Sequence, residues 1–284
     1  PRAEALGDPH RLARLLFEIG YAYVFSSNME TGYPLLDRAK KIGEENGNEL
    51  ITGYVAMGKM WGEIYFGGHD ATSKHVVEVL SAEAERIGRA QRDNWLTAKA
   101  LTGHVSYHTS FGRPDESRRW AHKLFELTRE TNDPRPRTMG LWALSLLEAT
   151  HFAPEEALES GREGAGQALS VVDRTVAEVG MGMGMALLGQ NKEAEEMLTK
   201  TMDMVEERGM ALIRGIIHPF KGIAVIGLGD MAGGEKVIFN GKEESRKLND
   251  AGGVATADLV LGEIYTRMAL GIDTPPLGVI MRNL

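Results

Sequence analysis

The sequence predicts an all-α fold, a right-handed α-solenoid of about six to seven antiparallel helix pairs. Three observations carry this. First, a small residue recurs about every 40 positions, at Gly20, Gly62, Gly103, Ala143, Gly182, Gly222 and Gly262. Second, large residues flank it at i−1 and i+3, as in Trp61 and Tyr65, Trp142 and Leu146, Met181 and Met185, and Leu261 and Tyr265. Residues four apart share one helix face, with the small residue beside them. Third, no run alternates apolar and polar residues as a half-buried strand would. Lys236-Val237-Ile238-Phe239 is short and falls inside a predicted helix.

The elements follow in order as one domain over 1–284, in units 8–48, 49–92, 93–133, 134–170, 171–210, 211–254 and a truncated 255–284. Asp8-Pro9 and Asp133-Pro134 each place an N-cap carboxylate before a proline at the first helical position. Pro114 and Pro154, each followed by an acidic residue, open second helices. Asp70 and Asn191 are further caps, and Gly47, Gly209 and Gly271 stand where helices stop. Gly189 and Gly229 fall in the turns of units 5 and 6. Twelve positions after three anchors come small residues, Gly32, Ala194 and Gly234, and four later Leu36, Leu198 and Ile238. These build the second helices. Thr256 to Leu270 reads as a first helix and Leu277 to Leu284 as the start of a second. A solenoid that stops mid-unit leaves an apolar face open, so a continuing chain or a partner is expected there.

Composition removes several function classes. There is no cysteine, which excludes disulfides, zinc–thiolate sites and thiol catalysis. A net charge of −8 argues against a general nucleic-acid binder. The longest apolar stretch, Ala211 to Met231, is broken by Arg214, His218, Pro219 and Lys221, so no membrane span is predicted. Pro1 to Glu4 shows no leader pattern, and a cytoplasmic location is expected.

The large–small–xx–large anchor with a small residue twelve on is clearest in three places. They are Trp61-Gly62…Tyr65, Met181-Gly182…Met185…Ala194…Leu198 and Leu261-Gly262…Tyr265. It resembles the tetratricopeptide repeat (TPR), in the long, degenerate form of large bacterial signalling proteins. Leu261-Gly262-Glu263-Ile264-Tyr265, Pro275-Pro276-Leu277 and Met281-Arg282-Asn283-Leu284 are similar to the C-terminal helical region of bacterial multidomain class III adenylate/guanylate cyclases that carry AAA/STAND-type ATPase modules. The resemblance implies a regulatory scaffold in bacterial signalling. The sequence shows neither a metal-binding aspartate pair in a strand–turn–strand setting nor a Gly-x-x-x-x-Gly-Lys-Ser/Thr loop. No cyclase or ATPase activity is therefore placed on any residue.

Other chemistry is weighed residue by residue. The glycines of Gly227 to Lys236 have the wrong spacing for a phosphate loop and read as a turn. His104 and His108, four apart, could face one metal with help from His69, His75, His122 or His151. Glu155-Glu156, Glu195-Glu196 and Glu206-Glu207 read as solvated helix faces. The run Gly180-Met181-Gly182-Met183-Gly184-Met185 fits either close helix packing or an adaptable methionine-lined groove.

In a TPR-like superhelix, positions one, four and five after each small residue of the first helix face the concave side. They nominate Tyr21, Phe25, Glu63, Phe66, His104, Tyr107, His108 and Glu148, with Lys59 and Arg137 from a turn earlier. This stripe suits a protein or peptide partner, such as the protein's own catalytic module. The predicted function is non-catalytic and needs no cofactor or metal. The alternatives are a small-molecule effector sensor of a STAND-type regulator and, remotely, a metal-dependent enzyme at His104/His108.

Overall fold

The computed structural model describes residues 7–67 and 71–270. Pro1 to Glu4, His69, Asp70, Gly271, Pro275 to Leu277 and the second helix expected from Leu277 lie outside these residues. Among the described residues there are thirteen helices and no strand. First helices are α1 (Pro9–Phe25), α3 (Glu49–Phe66), α5 (Asn94–Ser110), α7 (Pro134–Thr150), α9 (Val171–Leu187), α11 (Ala211–Gly227) and α13 (Ala251–Leu270). Second helices are α2 (Met29–Glu45), α4 (Ala71–Ala90), α6 (Pro114–Thr131), α8 (Pro154–Gln167), α10 (Asn191–Glu207) and α12 (Met231–Lys247).

Local chemistry sets most of these ends. Asp8 accepts from the amides of His10 and Arg11, and Asp133 from Arg135, each ahead of a proline. Pro114 and Pro154 open α6 and α8 behind caps without a side-chain bond. Asn191 is the first residue of α10 and not its cap; Gln190 holds that place and makes no side-chain cap bond. The boundary at 255 falls inside α13, which starts at Ala251.

Most turns end in a left-handed residue. These residues stand at regular intervals: Gly7, Ser27 and Gly47; Arg92, Gly112, Asn132 and Phe152; Gly189, Gly209, Gly229 and Asn249. Seventeen helical residues plus a short turn make half a unit, and two halves make the repeat.

The two sets of helices differ in burial. Second helices bury one stripe. The central first helices are covered all round: no residue is exposed over 50–66 of α3, 94–109 of α5, 136–150 of α7 or 175–187 of α9, whereas α1 and α13 keep exposed residues along their length. Each first helix packs on the next first helix, and each second helix on the first helices before and after it. The array also meets itself. The Ser26 hydroxyl donates to the Gly209 carbonyl (3.2 Å), Ser27 to that of Leu248 (3.0 Å), and α13 touches α3.

The small-residue ridge is real in units 1, 5 and 6 and displaced elsewhere. A Cβ on Gly20 would sit 3.0 Å from the Gly32 carbonyl, and one on Gly222 2.8 Å from that of Gly234. In units 3 and 4 the same twelve-residue contact is made two positions later than Gly103 and Ala143. There Ser117 Oγ donates to the Val105 carbonyl (3.1 Å), and Ser145 Oγ to that of Ala157 (2.7 Å). A hydroxyl bonded to the facing backbone fills the place that glycine leaves empty elsewhere. Gly62 and Gly103 meet the preceding unit instead, at Tyr33 and Met60, and a Cβ on Gly262 meets nothing within 4 Å. The glycines of the Met–Gly run serve packing on three sides: Gly180 against Ser145, Gly182 against Leu198 and Gly184 against the Pro154 carbonyl.

Candidate functional site

Five of the ten residues nominated for a concave groove bind second helices. Lys59 pairs with Asp37 of α2 (2.5 Å), and Glu63 accepts from the Tyr33 hydroxyl of α2 (3.1 Å). His104 lies flat on Trp120 of α6, centroids 3.8 Å apart. Glu148 takes both Nε (2.8 Å) and Nη2 (2.7 Å) of Arg118 of α6. Arg137 pairs with Glu163 of α8. Each of these side chains ties its first helix to a second helix. For units 3 and 4 the reason is the two-residue register shift, which turns a helix position by about 200°.

The remaining five divide into three places. Tyr21 and Phe25 meet edge to face at 4.6 Å on α1, with Phe17 stacked below. Tyr107 and His108 form an aromatic group with Phe111 at the end of α5. Phe66 lines an open cleft of about 580 Å³, with Gly67, Asp250, Val254 and Asp258, where α3 meets α13.

The Arg118–Glu148 pair gives a direct test of the stitching. The Glu148 side chain is only 8% exposed. Arg118→Ala strands a buried carboxylate and is expected to cost about 2 kcal/mol, moderated because solvent reaches Arg118. Arg118→Met with Glu148→Met should recover most of that loss in a urea unfolding curve. A double variant no better than the single would refute the assignment.

Among the described residues His104 and His108 are not joined by a third ligand. Their rings stand near-parallel with centroids 6.4 Å apart. Burial, then His108, then the Lys123 ammonium push His104 down to about 4. His122 edges Phe125, and His151 Nδ1 lies 2.9 Å from the Leu147 carbonyl. Among the described residues no group of three or more His, Asp or Glu could hold an ion. No helix among them is long and apolar enough to cross a membrane.

A second polar–aromatic stripe comes from first helices alone. Lys99 of α5 has its Nζ 5.9, 5.8 and 5.7 Å from the ring centroids of Trp61 (α3), Trp95 (α5) and Trp142 (α7). These distances suit cation–π attraction. Trp61 stacks on Tyr65 at 5.8 Å. Trp142 Nε1 donates to Asp173 Oδ1 of α9 (3.2 Å), while Ser170 donates to Asp173 Oδ2 (2.6 Å). Burial lowers the Lys99 pKa, opposed by the more distant Asp173. The Trp61 indole N–H and the Tyr21 hydroxyl are buried without a hydrogen-bond partner among the described residues. With anchors at Val105 and Ser145, Lys99 stands six before one and Trp142 three before the other. Sequence reasoning used Trp61 and Trp142 only as anchor flanks and passed over Trp95 and Lys99. The sequence held no direct signal for this: three of the chain's four tryptophans converge on one lysine only in the folded chain.

No family model matches the chain, and no curated protein matches it.

Proposed function

We propose that the chain is a non-catalytic binding and regulatory module, a right-handed TPR-like superhelix that senses a small effector on its layer of first helices. One observation carries this: Lys99 of α5 walled by tryptophans of α3, α5 and α7, with the buried Trp61 indole N–H left without a partner among the described residues. Leaving a buried donor unpaired costs about 1–3 kcal/mol, a cost an occupant would remove. The lack of exposed residues along the middle of α3, α5, α7 and α9 favours a small ligand over a long peptide.

The regulatory step is differential binding. An effector that prefers one curvature shifts the population towards it. Small changes between stacked units add along a solenoid, and the contacts of Ser26 and Ser27 with distant turns are placed to register the sum. The output is a protein partner or the protein's own catalytic module in a bacterial, cytoplasmic signalling chain. A second reading, direct protein docking, is favoured by the exposed Leu259, Tyr265, Met268 and Leu270 of α13.

The test is a thermal-shift screen of metabolites. A true effector at about one hundred times its Kd should add about 2.7 kcal/mol. That corresponds to about 4–5 °C in Tm for a chain of this size. A screen without a shift, alongside capture of a partner by α13, would reject the sensor and favour docking.

A further inference from the structure

We infer that the cluster of Trp61, Lys99 and Trp142 is a recognition point for a small organic anion with a flat aromatic body. The inference deepens the sensor reading and rests on it.

The donor inventory selects the charge. A lysine ammonium offers three donors and no acceptor, and an indole N–H offers one donor and no acceptor. Lys99 makes no ion pair among the described residues. Asp173, the carboxylate whose charge acts on Lys99, has one oxygen held by Trp142 and the other by Ser170. Its charge is committed to fixing the Trp142 ring. Trp61 is 3% exposed, and its Nε1 has no acceptor among the described residues. A cation would be repelled by Lys99, and a neutral apolar body would leave the ammonium and the indole N–H unsatisfied. An anion satisfies both through charge-assisted hydrogen bonds.

The walls select the body. Three tryptophan rings surround the ammonium at similar distances and present flat apolar surface. The rings stand on α3, α5 and α7, so a bound aromatic plane would bridge three consecutive units. Such a ligand can therefore bias the spacing of those units, which is what the regulatory reading requires.

The experiment uses 1-anilinonaphthalene-8-sulfonate as the anionic probe and neutral N-phenyl-1-naphthylamine as its control, followed by fluorescence on the whole chain. The sulfonate should bind with one-to-one stoichiometry. Lys99→Met should weaken it about tenfold or more, the loss expected for one charged hydrogen bond, and leave the neutral probe unchanged. Lys99→Gln repeats the test with a polar side chain should the methionine variant fold poorly. On the unaltered protein, 1-naphthalenesulfonate should displace the probe and 1-naphthalenemethanol should not. Equal affinity for both probes, or sulfonate binding unchanged by both variants, overturns the anion site. Should that occur while the metabolite screen still gives a thermal shift, the sensor reading survives and only its ligand chemistry falls.

Discussion

Acidification from pH 6.5 to about 4 is expected to remove about 3 kcal/mol of folding stability through His104 alone. The residue is 9% exposed and lies flat against Trp120. Lys123 places its ammonium 3.6 Å from the same ring. A neutral imidazole stacks there, whereas an imidazolium would lose its hydration and face a second cation. In the unfolded chain His104 takes up its proton near 6.5, and in the folded chain only near 4. Above 6.5 both states are neutral and the group contributes no slope. Between the two values the unfolded state binds the extra proton, so stability falls by up to about 1.4 kcal/mol per pH unit. Below the folded value the loss levels off. His108 and His218 are shifted in the same direction by burial, His218 against the opposing pull of Glu244, and they steepen the same limb. Asp133, held down to about 2 by Arg135, loses its contribution only below its ordinary value of 3.8 and so leaves this window clear. Urea unfolding midpoints at stepped pH check this. His104→Leu keeps an apolar side chain on Trp120 and should flatten most of the slope; an unchanged slope would assign the effect elsewhere.

The helix ends were legible because their causes are local. A carboxylate before proline at Asp8 and Asp133 needs no tertiary context to cap a helix, nor do Pro114 and Pro154. Gly47, Gly189, Gly209 and Gly229 were readable as turns because glycine tolerates positive φ. Ser27, Arg92, Asn132, Phe152 and Asn249 adopt the same conformation without glycine, so five of the eleven turn positions carried no glycine signal. The anchor register failed for a related reason. Close approach in units 3 and 4 is made by hydroxyls, Ser117 and Ser145, where the pattern demanded the nearest small residue. The Gly103 and Ala143 register nominates His104 and Glu148, whereas the Val105 and Ser145 register nominates Lys99 and Trp142. The tryptophan-walled lysine itself is a long-range object. Trp61, Lys99 and Trp142 stand in three different units, and only the stacking of α3, α5 and α7 joins them.

Two glycine-to-alanine changes should move stability in opposite directions. Alanine is favoured over glycine in a helix interior by about 1 kcal/mol, because it leaves the unfolded chain less freedom to lose. Gly262 of α13 is exposed, and a Cβ there meets nothing within 4 Å, so Gly262→Ala should keep most of that gain. Gly222 of α11 has the same repeat position and the same propensity term. Its Cβ would press on the Gly234 carbonyl at 2.8 Å and collide with Ile238. The carbonyl belongs to the backbone of α12 and cannot rotate away; Gly234 faces Gly222 in return, with 2.6 Å from its own Cβ position to the Gly222 carbonyl. The pair of helices must therefore separate, and overpacking of about 1–3 kcal/mol exceeds the propensity gain. Gly222→Ala should lose about 1–2 kcal/mol net and Gly222→Val about 3 kcal/mol, with the m value unchanged if the fold persists. Gly182→Ala should fall between the two, because its nearest neighbour at 2.7 Å is the mobile end of the Leu198 side chain. Urea midpoints for the four variants decide the matter. An equal shift at Gly222 and Gly262 would mean that the repeated small residue follows the sequence period without holding the helices together.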